Sequence, residues 1–327
     1  MNMPLPSPAP AAALRFPDED ARWAAVAARD PTADGGFYSA VVTTGVYCRP
    51  SCAGRPLRRN VRFFDTREEA RAAGFRACKR CHPDRLAPAL AADVLAERIA
   101  AIDWQAVGAE LDERGSAVVE RLLTPEACAE AVALGQEPGR FRSRVVMARH
   151  GFGQGEYSYF ADPLPPLVAG LRSRLYPPLA GIANRWARRL GSDLRFPAKH
   201  EALRAQCAAA GQTRPTPLLL TYGPGDYNCL HQDIYGDVHF PLQAAVLLDE
   251  PGRDFAGGEF VLVEQRPRMQ SRPEVVPLAQ GDAVIFAGAE RPRHGVRGDH
   301  RVALRHGVSR VRSGRRHTLG IIFHDAR

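Results

Sequence analysis

Residues 218–236 read LLLTYGPGDYNCLHQDIYG: an apolar run, a Gly-Pro-Gly-Asp turn and a His-x-Asp pair. Leu218 to Tyr222 has the length and apolarity of a strand, and Gly223 to Asp226 carries the residues that tight turns select, so a hairpin is expected here. On a strand, alternate side chains share a face, so His231 and Asp233 would turn an imidazole and a carboxylate toward one ion. Working outward, PLQAAVLLDE (241–250), GEFVLVE (258–264), GDAVIF (281–286) and HTLGIIF (317–323) are further apolar runs of strand length, punctuated by Gly, Pro and Asp. AVVERLLTPEACAEAVAL (117–134) reads as a short strand, an N-cap at Thr124 followed by Pro125, and an amphipathic helix. The C-terminal part is therefore β-rich with helices ahead of the strands, and the fold class expected is α+β.

A distal histidine would complete the 2-His-1-carboxylate triad that marks non-haem Fe(II) oxygenases. His294, His300 and His306 compete for that place. His306 opens HGVSRVRSGRRHTLGIIF (306–323), where a short strand and a glycine turn lead to Arg316, ten residues on. His306 is the expected third ligand and Arg316 the expected partner of a 2-oxoglutarate carboxylate. Thr318 would share Arg316's strand face and Arg315 would point the other way. His294 and Arg315 are the fallbacks; otherwise His294 and His300 read as surface residues.

Near the other end, GVYCRPSCAGRPLRRNVRFF (45–64) and FRACKRCHPD (75–84) hold Cys48-x3-Cys52 and Cys78-x2-Cys81. Each pair can wrap one edge of a tetrahedral zinc ion, and a segment of this size has little apolar core without one. The spacing alone fits a structural zinc ribbon, with His82 as a possible substitute ligand. Cys128, Cys207 and Cys229 suggest no role.

The 327 residues suit about two domains. No apolar run is long enough to span a bilayer, so no membrane partner is expected. MNMPLPSPAPAAALRFP reads as a Pro/Ala tail without the features of a signal peptide, which makes the cytoplasm the expected compartment. Net charge is +8, unevenly spread. Positions 49–85 hold eleven Lys or Arg against four acids, and 291–327 hold ten Arg against two Asp. Two basic foci suit a polyanion such as nucleic acid. The expected segmentation is a disordered tail over 1–17, a zinc domain over 18–86, a helical linker over 87–97, and a β-rich domain over 98–327.

TTGVYCRPSC followed by AGFRACKRCHPD, with the flanking RWAAVAARD and RNVRFF, closely resembles the N-terminal zinc domain of bacterial Ada alkylation-response proteins. The resemblance implies that Cys48, one of four zinc-bound thiolates, accepts a methyl group from a DNA methylphosphotriester. It also implies that Thr44 and Arg55 approach the phosphate. This chain departs from the Ada pattern: it has no PCHR motif and no evident helix-turn-helix after Asp84, so the transcriptional role does not carry over.

His231, Asp233, His306 and Arg316 on a chain of strands resemble the Fe(II)/2-oxoglutarate dioxygenases, which implies a double-stranded β-helix (jelly-roll) with supporting helices. TYGPGDYNCLHQD resembles the AlkB-type strand, which implies that Tyr222 joins Arg316 and Thr318 around 2-oxoglutarate. MARHGFGQGEYSYFADPLPP looks like the segment that covers a flipped base, making Phe152, Tyr157, Tyr159 and Phe160 stacking candidates; ordinary strand core is the other reading. Leu220 and Ile322 stand where AlkB-type enzymes carry Asn and a second Arg. The C-terminal part is more similar to a separate bacterial oxygenase family assigned to oxidative demethylation of damaged DNA. Together the resemblances imply an alkylation-repair enzyme using Fe(II), 2-oxoglutarate, O2 and Zn(II), acting on methylated single- or double-stranded DNA. A DNA-targeted protein hydroxylase, and a damage sensor with a vestigial oxygenase site, are the alternatives.

Overall fold

The computed structural model describes residues 16, 18–30, 33–34, 36–84, 88–137, 139–265, 269–296 and 298–327, apart from the side chains of 68 and 88–93. The tail expected over 1–17 lies outside them except for Phe16. The chain divides into two compact units, Met1–Asp93 and Val94–Arg327. The division falls inside the helix Pro88–Ala100, of which residues 88–97 were expected as linker and residues 98–100 as the start of the β-rich domain.

In the N-terminal unit, Asp18 caps the helix Glu19–Ala28 by accepting from the Ala21 N–H. A four-stranded sheet follows: β1 Tyr38–Val41, β2 Val46–Cys48, β3 Val61–Phe64 and β4 Arg76–Ala77, in the order β3-β1-β2-β4. Thr66 and Glu69 form a capping box on the helix Arg67–Ala72. Apolar burial is thin. One cluster holds Phe16, Ala25, Val26, Ala33 and Phe37, and another Tyr38, Ala40, Tyr47 and Ala70. Phe16, inside the stretch expected as tail, packs its ring edge-on against Phe37 at 5.4 Å.

The C-terminal unit is built on two antiparallel sheets. Its strands are β5 Ser116–Val119, β6 Phe141–Val146, β7 Gly153–Gln154, β8 Glu156–Phe160, β9 Leu218–Tyr222, β10 Tyr227–His231, β11 Leu242–Leu247, β12 Phe255–Gly257, β13 Phe260–Gln265, β14 Arg272–Val276, β15 Ala283–Ala287, β16 Glu290–Gly295, β17 Gly298–Val308, β18 Val311–Gly314 and β19 Arg316–Ile322. The larger sheet runs β5-β15-β11-β19-β9-β8-β6; the smaller runs β14-β13-β17-β10-β7, with β16 also on β17. Thr124 caps the helix Pro125–Ala133 through the Ala127 N–H, with Pro125 in its first turn, as the sequence pattern requires. Two facing antiparallel sheets with helices in support are the jelly-roll arrangement.

Cross-strand register decides which residues face the interior. Arg316 lies opposite Tyr222, Thr318 opposite Leu220 and Leu247, and Gly320 opposite Leu218 and Ala245. Tyr157 and Tyr159 lie opposite Leu220 and Leu218. Paired residues share a face, so this set forms one wall. The alternate residues Leu219, Leu319 and Ile321 are buried in the apolar core together with Leu171, Leu175 and Tyr176 of the helix Pro166–Arg189. Buried Arg172 ties that helix to the chain end, donating to the Phe323 carbonyl at 3.0 Å and pairing with Asp325 at 2.6 Å. Gly153 has φ +131°, and a Cβ there would stand 2.3 Å from the Tyr227 carbonyl. Only glycine lets β7 approach β10 that closely.

Candidate active site

His231 ends β10 and lies directly across the ladder from His306 in β17, with ring centroids 4.2 Å apart. Asp233 joins them: its Oδ1 is 3.6 Å from His231 Nε2 and its Oδ2 is 3.3 Å from His306 Nε2. One ligand atom from each of the three lies within 4.8 Å of the others. The strand-alternation argument does not describe how they meet. β10 stops at His231, with an irregular register before it, and Asp233 lies in the segment beyond. His231 Nδ1 is 2.8 Å from the Cys229 carbonyl. An Nδ1–H donated there leaves the Nε2 lone pair for a metal, the arrangement that ligating histidines favour. Burial and the neighbouring His306 hold the His231 pKa below the usual imidazole range, so it stays neutral and able to ligate. Burial alone would raise the Asp233 pKa, but His306, His231 and Tyr235 together hold its carboxyl far below the usual range. Two imidazoles and a carboxylate suit Fe(II).

The triad lines a cavity of about 370 Å³, as do Arg316, Thr318 and Tyr222. Arg316 is 1 % exposed. Its Nη1 donates to Thr318 Oγ1 at 2.5 Å, its guanidinium stands 5.5 Å from the Tyr222 ring centre, and its Nε has no hydrogen-bond partner. Among the described residues, no carboxylate comes within ion-pair distance of it. A buried cation without a counterion is costly, so the residues present fit a ligand carboxylate, such as the far end of 2-oxoglutarate.

The competitors fall away on geometry. His294 is 81 % exposed at its side chain and faces Asp299. His300 and Arg315 are exposed as well. Phe152 is 48 % exposed at the cavity, where Tyr157 and Tyr159 also line the wall. Phe160 is a correction: it is fully buried, packed against Phe141 with the rings tilted by 33° and their centroids 4.7 Å apart, and belongs to the core. Sequence reasoning missed Tyr235, whose hydroxyl donates to Asp233 Oδ1 at 2.7 Å. It also missed Gln243, buried on the cavity wall with its amide nitrogen unpartnered.

In the N-terminal unit, one sulfur from each of Cys48, Cys52, Cys78 and Cys81 lies within 4.8 Å of the others. β2 delivers Cys48, and β4, parallel to it, delivers Cys78, whose N–H donates to the Tyr47 carbonyl at 3.0 Å. Asp34 fixes the intervening loop by accepting from the Ser51 N–H at 2.9 Å and the Ser51 hydroxyl at 2.5 Å. The Arg49 N–H points at Cys81 Sγ at 3.5 Å. Four thiolates in this arrangement fit zinc; His82 is exposed and outside the cluster. Thr44 and Arg55 are exposed.

Residues 155–326 match a family described as "Oxygenase, catalysing oxidative methylation of damaged DNA", and residues 21–84 match the metal binding domain of Ada. An uncharacterized protein of Mycobacterium tuberculosis is 47 % identical over 188 residues, 58 % of this chain and 78 % of that one. The bifunctional transcriptional activator and DNA repair enzyme Ada of Escherichia coli is 59 % identical over 68 residues, 20 % of this chain and 19 % of Ada. A crystal structure of the methylated N-terminal Ada–DNA complex is 42 % identical, covering 36 % of this chain and 78 % of that one, with a TM-score of 0.23. The family match takes in more than half of the chain, and with it the whole triad and Arg316: the chain belongs to this oxygenase family and carries an Ada-type metal-binding domain ahead of the oxygenase.

Proposed function

We propose that this protein repairs alkylated DNA by oxidative demethylation of damaged bases, with Fe(II) held by His231, Asp233 and His306 and 2-oxoglutarate anchored by Arg316, Thr318 and Tyr222. The observation that carries the reading is the uncompensated Arg316 guanidinium buried in the same cavity as the triad. When bound, the iron supplies oxidation of a substrate C–H bond by O2, coupled to conversion of 2-oxoglutarate to succinate and CO2. An oxygenase brings no methyl donor. Hydroxylation of a methyl on a ring nitrogen gives a hydroxymethyl group that leaves as formaldehyde, so the direction proposed is removal.

The chain's own residues hold the partners in register. Arg316 and Thr318 fix the cosubstrate's far carboxylate. Phe152, Tyr157 and Tyr159 offer aromatic faces to a base drawn out of its stack, methylated and in single- or double-stranded DNA. In the N-terminal unit, Cys48 would attack the methyl carbon of a methylphosphotriester, leaving a phosphodiester and a thioether. Zinc keeps the sulfur deprotonated beforehand. Thr44, Arg55 and their arginine neighbours would bind phosphates. The 59 % identity to Ada over these residues supports that step.

The deciding experiment measures 2-oxoglutarate turnover with Fe(II) on methylated and unmethylated oligonucleotides, quantifying formaldehyde and succinate, with His231→Ala as control. Formaldehyde that requires both the methylated strand and His231 is the expected result. Equal, slow succinate with either oligonucleotide would reject nucleic acid as substrate and turn attention to proteins.

A further inference from the structure

We infer that Tyr235 is a positioning residue for the metal: its hydroxyl claims one oxygen of Asp233 and so presents the other to the ion. The inference rests on the triad reading above and deepens it.

Asp233 is not on a strand. It belongs to the irregular segment between β10 and β11, where no ladder hydrogen bonds fix a side chain. Two features supply what the ladder does not. The Tyr235 O–H donates to Asp233 Oδ1 at 2.7 Å, and the Tyr159 O–H donates to the Tyr235 oxygen at 3.3 Å. Each proton points toward the carboxylate, so the chain Tyr159–Tyr235–Asp233 has a single direction. Asp233 Oδ2, nearest His306 Nε2 at 3.3 Å, is left as the oxygen for the metal. With Asp233 only 12 % exposed at its side chain, water is poorly placed to replace the phenol.

The backbone under Tyr235 is clamped as well. Gln212, fully buried, donates its amide to the carbonyls of Tyr235 at 3.1 Å and Val238 at 2.8 Å, and accepts from the Val238 N–H at 2.8 Å. Between those contacts Gly236 takes φ +79°, and a Cβ there would sit 2.5 Å from the Gln212 side chain. A left-handed glycine is the residue this close approach permits. At the other end of the relay, the Arg142 guanidinium stands 4.5 Å from the centre of the Tyr159 ring, steadying the first hydroxyl. A ligand carboxylate whose second oxygen is held in this way binds its metal more tightly, and removing such a partner typically costs 10–100-fold in affinity.

The test uses Mn(II), an oxygen- and nitrogen-seeking ion that the four-thiolate site does not favour. Full-length, zinc-loaded, iron-free protein is titrated with Mn(II) and free ion is followed by electron paramagnetic resonance. Tyr235→Phe keeps the ring and removes only the hydroxyl. Its Mn(II) Kd should rise about 10-fold, and Tyr159→Phe should raise it by about 2–3-fold. A Tyr235→Phe Kd within twofold of the unaltered protein, while His231→Ala abolishes binding, would overturn this inference and leave the triad standing. Equal Mn(II) affinity in His231→Ala and the unaltered protein would overturn the triad and this inference together. Should Tyr235→Phe melt markedly lower, Tyr159→Phe decides: weaker Mn(II) binding supports the relay, and unchanged binding rejects it.

Discussion

The two units each gather metal ligands, but the ligands stand in different relation to the fold. In the N-terminal unit, the two apolar clusters hold nine buried residues between them, and the thiols of Cys48, Cys52, Cys78 and Cys81 stand where further core would be. Deprotonated, four such sulfurs repel one another unless an ion sits among them. In the C-terminal unit, one continuous core spans both sheets and the helix Pro166–Arg189, and the proposed iron ligands His231, Asp233 and His306 line a cavity beside it. Their orientation comes from protein groups, Cys229 for His231 and Tyr235 for Asp233. The first metal completes a fold; the second occupies a finished one.

The largest effect should therefore come from removing metal. A strong chelator is expected to unfold the N-terminal unit, because structural zinc contributes on the order of 10 kcal/mol in small domains. The C-terminal unit should keep its melting temperature. Limited proteolysis read alongside calorimetry separates the two: cleavage confined to residues below about 93 is expected. Both units melting together after chelation would break the comparison.

Next in size is Arg316→Met. If 2-oxoglutarate is this guanidinium's missing counterion, the KM for 2-oxoglutarate should rise by about a hundredfold or more, in the range for deleting one partner of a buried charge pair. The ligand-free protein should lose no stability, since an uncompensated buried charge goes with it. Arg315→Ala, at an exposed neighbour, should alter neither. A hundredfold rise for Arg315 with none for Arg316 would reverse the assignment.

Why was so much of this site legible in advance? His231, His306, Arg316 and Thr318 sit on strands, where the period of two fixes which residues share a face, and the Arg316–Thr318 pair follows that rule. The four cysteines are legible because ligand spacing constrains both identity and loop length. What escaped lies off the regular elements. Asp233 meets its partners through an irregular turn, and Tyr235 and Gln212 act through a segment whose path depends on a left-handed glycine. The burial of Phe160 escaped for another reason. It shares β8 with Tyr157 and Tyr159, but the period of two sets it on the opposite face, and which face of β8 meets the core and which the cavity follows from the packing of the sheet.

The units should also part in acid. In the C-terminal unit burial, then nearby charges led by Arg172 for His200 and His239 for His324, lowers the pKa of both histidines to about 4 from 6.5. A depressed pKa means that the unfolded chain takes up protons first. The stability is complete above about pH 6.5 and is lost as pH falls toward about 4, by at most roughly 3 kcal/mol per histidine. His324 Nδ1 accepts from the Phe240 N–H, a bond that protonation would break. Calorimetry between pH 7.5 and 4.5 should show the C-terminal transition falling, with a shallower fall in His324→Asn. A flat profile would show that these two buried histidines do not titrate on unfolding.

The smallest effect expected is also the most local. Phe152 stands 48 % exposed beside His150, with ring centroids 5.3 Å apart, at the cavity that holds the triad. So exposed a ring contributes little to folding, and Phe152→Ala should leave the melting temperature unchanged. Stacking of a nucleobase on an aromatic ring is worth about 1–3 kcal/mol, so the KM for a methylated oligonucleotide should rise about tenfold. The KM for 2-oxoglutarate, bound at the Arg316 end, should not move. That split separates a residue that meets the substrate from one that shapes the cavity, since a deformed cavity would disturb both constants. Were both to rise together, Phe152 would belong to the wall and the base would have to stack on Tyr157 or Tyr159.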